Sequence, residues 1–77
     1  MMEITVENGT ADDEIEILEI AVEVGQEVAE GDLLVEVATD KANMEIVAPK
    51  AGRVAEIRVA DGDDAPGNAV LLVLEDL

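Results

Sequence analysis

The stretch Leu33-Leu34-Val35-Glu36-Val37-Ala38-Thr39-Asp40-Lys41-Ala42-Asn43-Met44-Glu45-Ile46-Val47-Ala48 decides the fold. In an extended chain Leu33, Val35 and Val37 fall on one face, with Leu34, Glu36 and Ala38 on the other, the alternation of a half-buried strand. Met44 and Ile46 oppose Glu45 and Val47 in the same way. Between the two runs stands the polar segment Thr39-Asp40-Lys41-Ala42, the length of a four- or five-residue hairpin loop. The spacing predicts strands over 33–38 and 44–48, with Lys41 projecting from the tip between them.

The flanking sequence extends this pattern into an all-β chain. Over 53–59, Ala55, Ile57 and Val59 oppose Val54, Glu56 and Arg58. The run 15–24 starts with Ile15 and Ile17 in phase and then changes to Leu18, Ile20, Val22 and Val24, a slip that predicts a β-bulge or a bend. A helix there would scatter the same apolar side chains around its circumference, so strand is preferred. Residues 4–6 and 70–74 make two further strands, and short extended pieces are expected around Val28 and Ala65, for about six to eight strands. The two halves also repeat. Gly31-Asp32-Leu33-Leu34-Val35-Glu36-Val37 aligns with Gly67-Asn68-Ala69-Val70-Leu71-Leu72-Val73, and Val24-Gly25-Gln26-Glu27 aligns with Asp61-Gly62-Asp63-Asp64 after a one-residue adjustment. Neither half can bury a face alone, so two packed sheets with a pseudo-twofold axis are expected from one domain over 1–77.

Composition narrows the function classes. Twenty acidic side chains against four basic ones give a formal net charge of -16, which repels phosphate backbones and anionic lipid and argues against nucleic acid and acidic membranes as partners. The longest uninterrupted apolar run, 69–74, falls far short of the roughly 20 residues a membrane-spanning helix needs. No basic-apolar leader follows Met1, so a cytoplasmic location is expected, or the mitochondrial matrix in a eukaryote. Phe, Tyr, Trp, His, Cys and Ser are all absent. Val, Ile, Leu and Ala can fill a small core without aromatic residues. Such an alphabet fits either a salt-adapted acidic protein or a simplified, reconstructed or designed sequence.

Most chemistry fails for want of parts. Nucleophilic catalysis would rest on Thr5, Thr10 or Thr39 with no His as base, and a zinc site has neither Cys nor His. No phosphate-cradling glycine motif occurs. The acidic turn Asp61-Gly62-Asp63-Asp64 has the wrong spacing for a calcium-binding helix-loop-helix and reads as a plain turn. All four basic residues lie between 41 and 58, and Lys50, Arg53 and Arg58 sit in or beside strands where they can offset neighbouring acids. Lys41 alone is expected at an apex. By composition, such a residue is most often a solubilising tip charge.

The segment Glu36-Val37-Ala38-Thr39-Asp40-Lys41-Ala42-Asn43-Met44-Glu45-Ile46-Val47-Ala48-Pro49 resembles the attachment segment of lipoyl domains from 2-oxo acid dehydrogenase complexes, whose signature is Asp-Lys-Ala. The likeness extends to Val24-Gly25-Gln26-Glu27-Val28, Glu30-Gly31-Asp32-Leu33-Leu34, Ala51-Gly52-Arg53-Val54 and Asp61-Gly62-Asp63. Two departures stand out. Ala38 occupies a position where the family usually carries Glu, and the segment from Ile4 to Ala11 lacks the Pro of the family's Pro-x-Ile/Leu-Gly-Glu opening, whose following loop lies near the lipoyl lysine and helps a partner dehydrogenase recognise its carrier.

The resemblance implies a flattened barrel or sandwich of two four-stranded antiparallel sheets. It further implies covalent lipoate on Lys41, flanked by Asp40, Ala42 and Thr39, in a monomeric, non-catalytic swinging-arm carrier. The implied partners are a lipoate ligase or lipoyl transferase, a thiamin-dependent decarboxylase, an acyltransferase and a dihydrolipoyl dehydrogenase. Related biotinyl domains carry Ala-Met-Lys-Met around their lysine, so Asp40 and Ala42 favour lipoate. The alternatives are an unmodified β-sandwich binding or structural module, and a biotin carrier domain of a carboxylase.

Overall fold

Among the described residues, eight short strands form in chain order: β1 (Met2–Ile4), β2 (Glu14–Ile20), β3 (Glu27–Val28), β4 (Leu33–Ala38), β5 (Asn43–Val47), β6 (Gly52–Ile57), β7 (Asp64–Pro66) and β8 (Leu72–Asp76). The computed structural model describes residues 1–6, 9–40 and 42–76. Every pairing is antiparallel, and the strands make two four-stranded sheets with the orders β1-β8-β6-β3 and β5-β4-β2-β7. No described residue is helical.

The two halves interlock through their shortest strands. The first half places β2, β4 and β5 in one sheet but lends β3 to the other, where it pairs with β6; the second half lends β7 to β2. Each half therefore completes its partner's sheet, the physical form of the repeat seen in the sequence.

The structure corrects that repeat's register. The ladder Glu16↔Ala38, Ile17↔Val37, Glu19↔Glu36, Ile20↔Val35 recurs as Arg53↔Glu75, Val54↔Leu74, Glu56↔Val73, Ile57↔Leu72. Its offset is 37 residues in every pair. Gly25 and Gly62 obey it, with φ of 91° and 86°. Aligning Gly31 with Gly67 is therefore one residue short, and Gly31 corresponds to Asn68. The apparent match of glycines concealed a single-residue slip in the Pro66-Gly67-Asn68 turn.

Bulges explain where simple alternation misleads. The expected slip in β2 lies between Ile17 and Glu19, and its 37-residue counterpart lies between Val54 and Glu56. The second one turns Val54 inward to 1% exposure, with Ala55 and Ile57 half-buried behind it, instead of setting Val54 on the opposite face. A third bulge, between Leu33 and Val35, buries Leu34 and Val35 together and leaves Leu33 exposed. Strand ends also shift. β2 stops at Ile20, and Val24 is exposed where the chain turns through Gly25. β1 covers Met2–Ile4 rather than 4–6, because Met2, Glu3 and Ile4 pair with Leu74, Val73 and Leu72. β8 runs past the apolar stretch into Glu75 and Asp76, where Arg53 and Gly52 stand opposite and Arg53 and Lys50 supply counter-charges.

The core between the sheets is wholly aliphatic. Ile15, Ile17, Leu34, Val35, Val37, Val54, Leu71, Leu72 and Leu74 are its largest fully buried side chains, and no polar or charged residue is buried among the described residues. Burying each removes roughly 2 kcal/mol worth of apolar exposure. Leu34 and Leu71, one repeat apart, are both 0% exposed.

Candidate functional site

The hairpin β4–β5 carries the site. Leu34, Val35, Val37 and Ile46 face the core, with Val37 opposite Met44 and Val35 opposite Ile46, and the last paired residues are Ala38 and Asn43. Beyond them Thr39 and Ala42 bond to each other. The Thr39 amide donates to the Ala42 carbonyl at 3.0 Å, and the Thr39 hydroxyl donates to the same oxygen at 2.9 Å and accepts from the Ala42 amide at 3.3 Å. Asp40 and Ala42 are exposed, and Thr39 is half-buried. The expected strand pair and loop length are thus present. Lys41, expected at the apex, lies outside the described residues.

Beside this turn lies a shallow cleft lined by Asp12, Glu14, Glu16 and Asp64 together with Thr39 and Asp40. The segment after β1 reaches it through a tight anchor. Gly67 donates its amide to the Asp13 carbonyl at 2.8 Å, and a Cβ on Gly9 would lie 2.0 Å from the Gly67 carbonyl oxygen. Asp13 closes the same segment by accepting from the Thr10 amide at 3.1 Å. Residues 9–13 are thus anchored to Gly67 by glycine-to-backbone packing, and Asp12 lines the cleft beside Thr39 and Asp40. Glu16 and Asp64, which face each other across β2 and β7, were not singled out in the sequence; the alternation of Glu14 and Glu16 with Ile15 and Ile17 was the available signal.

The other basic residues are engaged elsewhere. Lys50 pairs with Asp76 at 3.1 Å, Arg53 with Glu27 at 3.4 Å and Glu75 at 3.7 Å, and Arg58 with Glu56 at 3.2 Å and Glu3 at 4.0 Å. In the acidic turn after β6, Asp61 accepts from the Ile20 amide and Asp63 from the Ala60 amide, so both carboxylates brace backbone. Among the described residues no group of three acidic side chains is arranged to hold a metal ion.

Such a body, two interlocked sheets carrying the Thr39–Ala42 closure beyond the last paired residues of one hairpin, defines a class of presenting domain. A family model described as Biotin-requiring enzyme, the biotin/lipoyl family, matches residues 2–74, and the chain belongs to that family. The chain is 41% identical over 63 residues to the dihydrolipoyllysine-residue acetyltransferase component of the pyruvate dehydrogenase complex of Haemophilus influenzae, covering 82% of this chain and 11% of that protein. It is 51% identical over 41 residues to the lipoamide acyltransferase component of the branched-chain alpha-keto acid dehydrogenase complex of Pseudomonas aeruginosa, covering 53% of this chain and 10% of that one. The chain thus spans about a tenth of the length of these relatives. The solution structure of the lipoyl domain of the 2-oxoglutarate dehydrogenase complex from Azotobacter vinelandii superposes with a TM-score of 0.81 at 25% identity, covering 99% of this chain and 98% of that one.

Proposed function

We propose that this chain is a lipoyl carrier domain, that Lys41 is its attachment residue, and that Asp40, Ala42 and Thr39 form the flanks a modifying enzyme reads. One observation carries the reading: Thr39, Asp40 and Ala42, the described residues of the motif, lie between β4 and β5, and Asp40 and Ala42 are exposed. The donor set suits the group. A lysine amine forms an amide with a carboxylic acid, and that exchange removes one positive charge and adds a long flexible arm.

Lipoate, when attached, supplies a disulfide that carries acyl groups and reducing equivalents. The chain's own residues do different work. The ladder from Val35 and Ile46 to Ala38 and Asn43 fixes the base of the turn, Thr39 closes it, and the aliphatic core stiffens the sheet beneath. Rigidity matters because a tethered group gains effective concentration at successive active sites only when its base has a defined position. The domain itself catalyses nothing in this account. Its partners are a lipoate ligase or lipoyl transferase and the decarboxylase, acyltransferase and dihydrolipoyl dehydrogenase of a 2-oxo acid dehydrogenase complex.

The family includes biotin carriers, and the test distinguishes the two. Incubation with a lipoate ligase is expected to raise the intact mass by one lipoyl group, while a biotin ligase leaves it unchanged. Biotinylation without lipoylation would replace this reading with that of a carboxylase carrier, and no modification by either would leave an unmodified binding module.

A further inference from the structure

We propose that the Thr39 hydroxyl is a latch that holds the turn in the geometry the modifying ligase binds, making Thr39 a positioning residue. The proposal rests on the lipoylation reading above.

Among the described residues, four other turns close with one recurrent device. In each, a side-chain oxygen of the fourth residue accepts from the backbone amide of the first: Asp13 to Thr10 at 3.1 Å, Gln26 to Glu23 at 3.1 Å, Asp32 to Ala29 at 2.8 Å and Asp63 to Ala60 at 2.9 Å. Three of these four acceptors are carboxylates. The turn over 39–42 departs from the pattern, because its fourth residue is Ala42, whose side chain has no acceptor. The closing side chain has moved to the first residue and become a neutral hydroxyl, which can donate and accept at once. It donates to the Ala42 carbonyl at 2.9 Å and accepts from the Ala42 amide at 3.3 Å.

Two consequences follow. The latch joins the residues on either side of Asp40-Lys41, so it fixes how far apart the two ends of that segment are held. It also closes the turn without adding a carboxylate. An acid at position 42, in the manner of the other turns, would favour the charged ammonium of a neighbouring lysine, whereas acylation needs the free amine. The strand pairing ends at Ala38 and Asn43, so the turn depends on its own bonds for its shape. The latch then acts on the population of the competent turn, and an unlatched turn binds the ligase with an affinity reduced by the competent fraction.

The test compares Thr39→Val, which keeps the shape and removes the hydroxyl, with Thr39→Ser, which keeps the hydroxyl. Steady-state lipoylation by a lipoate ligase is measured with the chain as varied substrate, and amide hydrogen exchange is measured at Ala42. For T39V, KM is expected to rise about three- to tenfold with kcat unchanged, the scale of one or two lost hydrogen bonds, and Ala42 exchange to accelerate. T39S is expected to stay within about twofold of the parent in both readouts, as a retained bond predicts. Unchanged KM in T39V, whatever the exchange, would overturn the proposal. So would equal impairment of T39S and T39V, or a fall in kcat alone. If the parent chain is not lipoylated, the carrier reading fails; unaltered Ala42 exchange in T39V rejects the latch separately.

Discussion

The two sheets share one backbone plan and differ in how their acidic side chains are offset. On the β1-β8-β6-β3 sheet, Arg53 stands between Glu75 and Glu27 and bridges both, and Arg58 bridges Glu3 and Glu56 on either side of Val73. One repeat away, on the β5-β4-β2-β7 sheet, Glu16 takes the place of Arg53 between Ala38 and Asp64, and Ala21 takes the place of Arg58. Glu36 takes the place of Val73 and faces Glu19 on one side and Glu45 on the other. One sheet is thus stitched by its cations. Its twin carries like charges directly opposite one another, an arrangement that destabilises antiparallel pairs. The twin is also the sheet that carries the proposed carrier turn. Equivalent geometry therefore does not imply equivalent stability, and the acidic excess of the sequence is concentrated where no described cation offsets it.

The largest expected effect tests whether the halves are structural equals. Leu34→Ala and Leu71→Ala remove the same atoms from corresponding sites, and each should cost about 2–5 kcal/mol in chemical denaturation. Costs that differ severalfold would break the symmetry of the core. The next test concerns two glycines. Gly31 has φ of 87°, so Gly31→Ala should cost about 1–2 kcal/mol through backbone strain. Gly52 lacks that conformation, but a Cβ there would lie 2.8 Å from the Glu75 carbonyl oxygen. Gly52→Ala should therefore weaken the β6–β8 pairing, seen as faster amide exchange across that ladder.

Smaller effects sharpen the charge comparison. Glu36→Val copies Val73 into the acidic sheet and should stabilise by roughly 0.2–1 kcal/mol, the scale of one cross-strand pair. Thermal melts should show the gain at low ionic strength and lose most of it in 1 M salt, where the screening length is about 3 Å. Arg53→Gln should destabilise by no more than about 1 kcal/mol, since its bridges are exposed. A salt-independent gain for Glu36→Val would show that packing, not repulsion, distinguishes the sheets.

Legibility in the sequence followed the same division. Strand β4 could be read to its exact ends because Leu33 and Ala38 sit between Gly31-Asp32 and a polar turn. The hairpin and its loop length were legible for the same reason. Bulges at Leu33/Val35 and Val54/Glu56 were not, because a bulge is set by two strands together and one strand's alternation shows only half of it. The continuation of β8 through Glu75 and Asp76 depends on Arg53 and Lys50, distant in sequence. At the site, Thr39, Asp40 and Ala42 could be named from the motif, but the latch depends on where the Thr39 hydroxyl points, which composition does not encode.

Lysine occurs at two positions, which makes the decisive experiment simple. After exhaustive treatment with a lipoate ligase, proteolysis and mass spectrometry should place the added group on the peptide holding Lys41 and leave Lys50, paired with Asp76, unmodified. Exclusive labelling at Lys50, or undiminished labelling of a Lys41→Arg chain, would contradict the assignment.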